Sequence, residues 1–229
     1  MQTLDEKKKA IELLMKYAVP DVHFREAAAF VEAYATDNIV LNLLHNFYSY
    51  LPDAIDDGVR KLRLLARRQG TFLFCATTFC DDYLYIVTQT EAFCLGKLAD
   101  GIADDEVLDF FGFADQRTFD LRTSDLDVFE IHTPVDQDMT LCPVCSVAVG
   151  EYHALGCPVE ICPWCGGQFT RCNCRFDQLD IEELDDQAEV ERLLEKLEAV
   201  GRIAFDIAQR PAYPTMDDDD NEDEPEPII

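Results

Sequence analysis

Positive charge is scarce in this sequence. Lys and Arg total 19 against 46 Asp and Glu, for a formal net charge of -27. Such a chain repels phosphate at long range, so composition disfavours direct nucleic-acid binding without excluding it. Long apolar runs are also missing. The longest charge-poor stretch, residues 38–52, falls short of the roughly 20 residues that a membrane span needs, and it contains Asn42, His45 and Asn46. Residues 1–16 mix acids and bases and have no apolar h-region, so they do not read as a targeting signal. No phosphate loop, dinucleotide fingerprint, nucleophile elbow or H-E-x-x-H pair is present. These absences predict a cytoplasmic protein without membrane association.

Apolar residues are plentiful at 48%, too many for a wholly disordered chain. The 229 residues suit one ordinary domain plus a small module, or two small domains. Thr3-Leu4-Asp5-Glu6 has the form of a capping box, and Leu4, Ile11, Leu14, Met15 and Ala18 share one helical face. Helices are predicted over residues 4–18, 23–34, 39–50 and 54–68, the last with Ile55, Val59, Leu62 and Leu65 or Ala66 on its apolar side. Residues 71–80 read as a buried strand with residues 83–88 as its hairpin partner. Short helices are expected over 91–99 and 104–111, a short strand over 127–132 and an acidic helix over 179–200. The fold class is therefore α+β, with a mainly helical N-terminal domain carrying a small β-hairpin, then a zinc-ribbon-like module and an acidic helix. The implied boundaries are 1–132 for the domain, 133–140 for a linker and 141–176 for the module. An acidic helix and extended segment follow over 177–215. Residues 216–229 form an acidic tail whose eight acids and no base predict disorder.

Seven of the ten cysteines fall between Cys142 and Cys174. They occur in C-x-x-C pairs joined by Pro and Gly, which points to metal ligation in a reducing compartment rather than to disulfides. The candidate ligands are Cys142, Cys145, His153, Cys157, Cys162, Cys165, Cys172 and Cys174. A C-x-x-C turn brings two thiolates to one ion, and a structural zinc takes four N or S ligands, so eight ligands imply two zinc ions. Pro143 and Pro163 stiffen the turns, and Gly166 and Gly167 permit the positive φ of a knuckle. Two pairings fit the spacing. The sequential one groups Cys142, Cys145, His153 and Cys157, then Cys162, Cys165, Cys172 and Cys174, and it closes the shorter loops. The crossed one joins the two C-x-x-C pairs and leaves His153, Cys157, Cys172 and Cys174. Iron–sulfur ligation is the rival chemistry, and His153 with the repeated knuckle favours zinc.

His153, Gly156, Cys157, Glu160, Cys162, Pro163, Cys165, Gly166, Gly167, Gln168, Cys172 and Cys174 form the pattern H-x-x-G-C-x-x-E-x-C-P-x-C-G-G-Q-x-x-x-C-x-C. It resembles a tandem Cys/His zinc-ribbon-like module of uncharacterised bacterial proteins, as do Arg202-Ile203 and Tyr213-Pro214 after it. The resemblance covers about a third of the chain and implies metal binding, but no activity. A catalytic zinc keeps an open position, and full Cys-rich sets leave none. The deaminase pattern fails as well: Leu141 and Ile161 precede the C-x-x-C pairs where Pro is required, and Leu155 stands where the Glu is required.

Other residues carry weaker signals. Cys75, Cys80 and Cys94 sit among Phe and Leu and read as small buried residues. His23 and His45 read as packing or capping residues, and His132 lies near Asp136 and Asp138. The pairs Asp56-Asp57, Asp81-Asp82 and Asp104-Asp105 suit turns and helix starts. Arg60, Lys61, Arg63, Arg67 and Arg68 form a basic patch on the expected 54–68 helix, and Lys7, Lys8 and Lys9 form a second. The expectation is a non-enzymatic, zinc-stabilised adaptor or regulator that binds a basic protein partner. One alternative is an enzyme with a site within 1–140. Another is a nucleic-acid-binding regulator that uses the zinc module and the basic helix 60–68.

Overall fold

The computed structural model describes residues 3–134, 140–184 and 186–209. The chain mixes helix and sheet. Three helices come first: α1 (Leu4–Ala18), α2 (Asp21–Ala33) and α3 (Asn38–Tyr50). The Thr3 side chain accepts from Glu6 N at 3.2 Å, and Glu6 accepts from Thr3 N at 2.9 Å, so the expected capping box forms. Val19, extended before Pro20, ends α1, because a residue preceding proline disfavours helical backbone. Asp37 caps α3 by accepting from Val40 N. Ile39, Val40, Leu41, Leu43, Leu44 and Phe47 are all buried, so α3 is a central helix rather than a surface one.

A four-stranded antiparallel meander follows: β1 (Val59–Arg68), β2 (Thr71–Thr78), β3 (Asp82–Val87) and β4 (Ala92–Lys97), in that spatial order. Both of its faces are covered. Phe72, Phe74, Ala76, Tyr83, Tyr85 and Val87 join the core under α1–α3. The alternate residues Leu73, Cys75, Leu84 and Ile86 point the other way, into a second core closed by Ile102, Leu108, Phe113 and Phe119. Those residues come from the segment holding α4 (Asp105–Phe110) and α5 (Gln116–Thr123). Burial on both faces explains why β2 is a continuous apolar run with no alternation. The last described helices are α6 (Cys174–Leu179) and α7 (Gln187–Val200).

Several expectations are corrected. The hairpin is half of a four-stranded sheet. The predicted helix over 54–68 is instead strand β1, because its partner requires it. Register shifts between Val59 and Lys61 and between Leu64 and Ala66 bulge the strand. Each bulge adds a residue and resets the alternation, so Val59, Leu62 and Leu65 are buried at spacing three, which imitates a helix. The predicted helix over 91–99 is strand β4 followed by a single 3-10 turn at Leu98–Asp100. The strand expected over 127–132 reduces to a 3-10 turn at Leu126–Val128 and an isolated bridge from Ile131 to Arg63. The acidic helix is shorter than 179–200: α6 stops at Asp180, in left-handed backbone, and α7 starts after the Asp186 cap. Residues 135–139 of the expected linker and the whole 216–229 tail lie outside the described residues, as do Asp136, Asp138, Tyr213 and Pro214.

The metal-ligand segment rests directly on the sheet. Leu141 and Ala148 pack into the core beneath α1–α3. At the β1–β2 turn, Gln69 N donates to Glu151 Oε1 at 3.1 Å. Gly70, at φ +72°, leaves no room for a side chain, since a Cβ there would sit 2.3 Å from the Cys145 carbonyl oxygen. At the β3–β4 turn, Gln89 Nε2 donates to Ser146 Oγ.

Candidate metal centre

Two knuckles of the same build present the cysteines. In the first, Ser146 N donates to Cys142 O at 2.9 Å and Cys142 N to Val147 O at 2.8 Å. In the second, Gly166 N donates to Cys162 O at 2.9 Å and Cys162 N to Gly167 O at 2.7 Å. Isolated bridges Leu141–Ala148 and Ile161–Gln168 close the two turns. Each knuckle needs one residue of positive φ after its second cysteine. Gly166 supplies it at φ +73° without strain, whereas Ser146 supplies it at φ +58° and is held there by complete burial.

All eight sequence-predicted ligands come together, and their grouping is sequential. Cys142, Cys145, His153 and Cys157 form one set, and Cys162, Cys165, Cys172 and Cys174 the other, with the ligand atoms of each set within 4.8 Å of one another. No disulfide forms among them. In the first set, Cys142 Sγ and Cys157 Sγ lie 3.8 Å apart, and Cys145 Sγ and His153 Nδ1 lie 3.3 Å apart. A tetrahedral ion with sulfur at about 2.3 Å places its sulfurs about 3.8 Å apart, so the donor set fits such an ion.

The first set is enclosed. Cys142, Cys145, His153 and Cys157 are all buried, and Phe205 packs edge-on to the imidazole. Burial pushes the His153 imidazole down, but the sulfurs of Cys142 and Cys145 outweigh it and raise it to about 10. Hydrogen bonding to Cys145, then Cys157, lowers Cys142, while Cys157 is raised through its bond with Cys142. The pocket thus favours positive charge at its centre, which a divalent cation supplies. On the outer side, His153 Nε2 meets Gln209 Oε1 at 3.0 Å. An amide oxygen there requires Nε2 to carry the proton, which leaves Nδ1 as the ligand atom.

The second set is open. Cys162 is buried, Cys172 and Cys174 are half-buried, and Cys165 is exposed. Its cover is local: Phe169, Leu179 of α6, and Leu193 and Leu197 of α7. Arg175 Nη1 donates to the carbonyls of Phe169 at 2.6 Å and Cys172 at 3.0 Å, tying the turn between the last ligands to α6. The Gly167 backbone N–H lowers Cys165, whereas Cys174 is raised to about 12 by its bond with Cys165.

Glu160 joins the two sets. It lies between Cys157 and Cys162, wholly buried, and Phe169 N donates to its carbonyl at 2.9 Å. Arg202 Nε reaches its Oε1 at 2.7 Å, and Arg202 Nη2 donates to His153 O at 2.6 Å. One arginine after α7 thus clamps both the ligand loop and the junction. The roles of Glu160, Arg202 and Gln209 are not evident from ligand spacing. The only sequence signal was that Glu160 and Arg202 belong to the resembled pattern.

The remaining candidates have structural partners. Cys75 is buried and its thiol is pushed up to about 12 by burial, whereas Cys80 and Cys94 are exposed, contrary to expectation. His23 stacks on Phe79 at 3.7 Å, and the Arg60 guanidinium lies 4.9 Å from the same ring. His132 Nε2 meets Asp37 Oδ2 at 3.0 Å in the core, a partner far away in sequence. Asp57 and Asp104 accept turn and helix-start N–H groups, as such acids should. The basic residues 60–68 lie on a strand, not a helix. Arg60 pairs with Glu26, and Arg63 is buried against Asp127 at 2.6 Å. Arg68 donates to the Phe110 carbonyl. No helix among the described residues is long and apolar enough to cross a membrane. No protein-family description, curated protein or solved structure matches the chain.

Proposed function

We propose that the two clusters bind two structural zinc ions, and that the protein is an adaptor or regulator stabilised by them. The observation that carries this reading is the complete, four-donor composition of each set. Three sulfurs and an imidazole, and then four sulfurs, are the donors zinc prefers in structural sites, and they leave no position for a reacting water. The metals would supply the folding free energy that so small a Cys-rich segment cannot draw from its own core. Thiolate ligation suits a reducing, cytoplasmic setting. Membership of the module family that the 153–174 pattern resembles is part of the same proposal.

The partner in this reading is a basic protein. The charge of -27 and the solvent face of α7, where Glu191, Glu195 and Glu198 are exposed, supply the complementary field. Cross-linking in the native host, followed by mapping of the linked peptides, tests it. A basic partner linked to α7, with the link suppressed when moderate salt is present before cross-linking, is expected. Replacing Glu191, Glu195 and Glu198 with Gln should abolish the link while metal content stays unchanged. Salt-insensitive links, or links unaffected by those changes, would contradict the reading.

A further inference from the structure

A cleft with a half-buried lysine in its wall is not accounted for by the two ligand sets. It measures about 900 Å³ and lies where the start of α1, one face of α3 and the β3–β4 turn meet, with Val144 of the first knuckle in its wall. That volume is in the range of small-molecule sites.

Lys7 stands out in this wall. Lys8, Lys9 and Lys97 each meet a carboxylate: Glu32, Asp5, and the Asp53–Asp81 pair. Lys7 is held by neutral groups instead. Its Nζ donates to Asn38 Oδ1 at 2.7 Å and to Asn42 Oδ1 at 2.5 Å. Among the described residues no carboxylate lies within ion-pairing distance of it. An ammonium has three N–H donors, so one remains uncommitted. Burial pushes this ammonium down from the usual lysine range, so its charge is held at a cost that no neighbouring anion offsets.

The amides that hold it are themselves fixed. Asn38 Nδ2 donates to Gln89 O at 2.6 Å, Asn42 Nδ2 to Thr88 O at 3.0 Å and Asn46 Nδ2 to Ala92 O at 2.8 Å. This ladder ties α3 to the β3–β4 turn and turns the oxygens of Asn38 and Asn42 toward Lys7. The cation is therefore positioned before any ligand arrives, which lowers the ordering cost of binding.

Charge selects the ligand class. Glu91 stands in the lining, and the chain as a whole carries -27. A phosphate monoester brings about two negative charges at neutral pH and is repelled more strongly than a carboxylate. Leu4, Ala92 and Val144 supply an apolar surface for a hydrocarbon part. We propose that this cleft binds a small organic monocarboxylate, with its carboxylate on Lys7 Nζ and its hydrocarbon part against Leu4 and Val144. The site is independent of the adaptor reading.

The test is lysine-selective NMR on the full, metal-loaded chain, titrated at matched ionic strength with sodium benzoate, benzamide and sodium phosphate. Benzoate should shift the Lys7 resonances saturably, and benzamide, its uncharged analogue, should bind at least about tenfold more weakly. Calorimetry on Lys7→Met should show no benzoate binding. That variant also removes a donor from Asn38 and Asn42 and can loosen α1. Glu91→Lys, which leaves the amide ladder intact, is therefore the second variant and should bind benzoate severalfold more tightly than the native chain. No saturable benzoate shift, equal binding of benzamide, a stronger response to phosphate, or unchanged affinity in Glu91→Lys would overturn the proposal.

Discussion

The two ligand sets share a knuckle and the Glu160–Arg202 clamp, and differ in how they are covered. The first is buried, includes His153, and is built into the sheet through Gly70, Gln69, Gln89 and the Leu141–Ala148 contact. The second is all cysteine, exposes Cys165, and packs on α6 and α7. The difference shows how one local motif can serve two structural ends. In the first set the ligand geometry and the main core depend on one another. In the second the ligand set packs with a short helical segment of its own. Ser146 and Gly166 illustrate the contrast. A strained serine persists only where burial enforces it, while the exposed knuckle uses the unstrained residue.

The comparison can be broken or sharpened by experiment. The largest effect is expected from Cys142→Ser with Cys145→Ser. A structural zinc contributes about 10 kcal/mol or more at neutral pH, comparable to the whole stability of a domain, so the sheet should lose its cooperative unfolding along with the metal. Near-ultraviolet circular dichroism would read this, and a native thermal transition in the variant would break the claimed dependence. Cys162→Ser with Cys165→Ser is expected to lose one metal and the exchange protection of α6 and α7, while amides of β2 and β3 stay protected. Equal loss in the sheet would erase the distinction between the two sets.

Arg202→Ala should rank next. It leaves the wholly buried Glu160 carboxylate without its cation, a change that costs about 3–5 kcal/mol. Denaturant unfolding would measure it, and a loss under about 1 kcal/mol would remove Arg202 as the clamp. The smallest expected effect comes from Gly70→Ala against Gly112→Ala. Both positions have positive φ, at +72° and +78°, but only at Gly70 would a Cβ strike the Cys145 carbonyl. Backbone strain alone costs about 1 kcal/mol, so Gly112→Ala should show that much and Gly70→Ala more. Equal losses would mean that the first knuckle is not seated on the β1–β2 turn.

The two four-residue clusters were legible in the sequence, because metal chemistry restricts residue type and spacing together. The first helices were legible for a similar reason: the Thr3–Glu6 box and the Ile11, Met15, Ala18 stripe are local signals. Strand β1 was not. Its Leu, Arg, Lys and Ala favour helix, and its two bulges turn a period of two into a spacing of three. Only pairing with β2 makes it a strand, and pairing is not a local property. The Lys7 cleft and the Glu160–Arg202 clamp were hidden for the same reason, since each joins residues from separate elements. The particular partners of Arg60, Arg63 and Arg68, namely Glu26, Asp127 and the Phe110 carbonyl, were hidden likewise, since they lie far away in sequence.

The most direct test is the native mass and elemental composition of gently purified protein. Two zinc ions per chain, one of them lost on replacing Cys162 and Cys165, is the expected result. A chain that carries no metal, or carries iron with sulfide, would contradict the central claim.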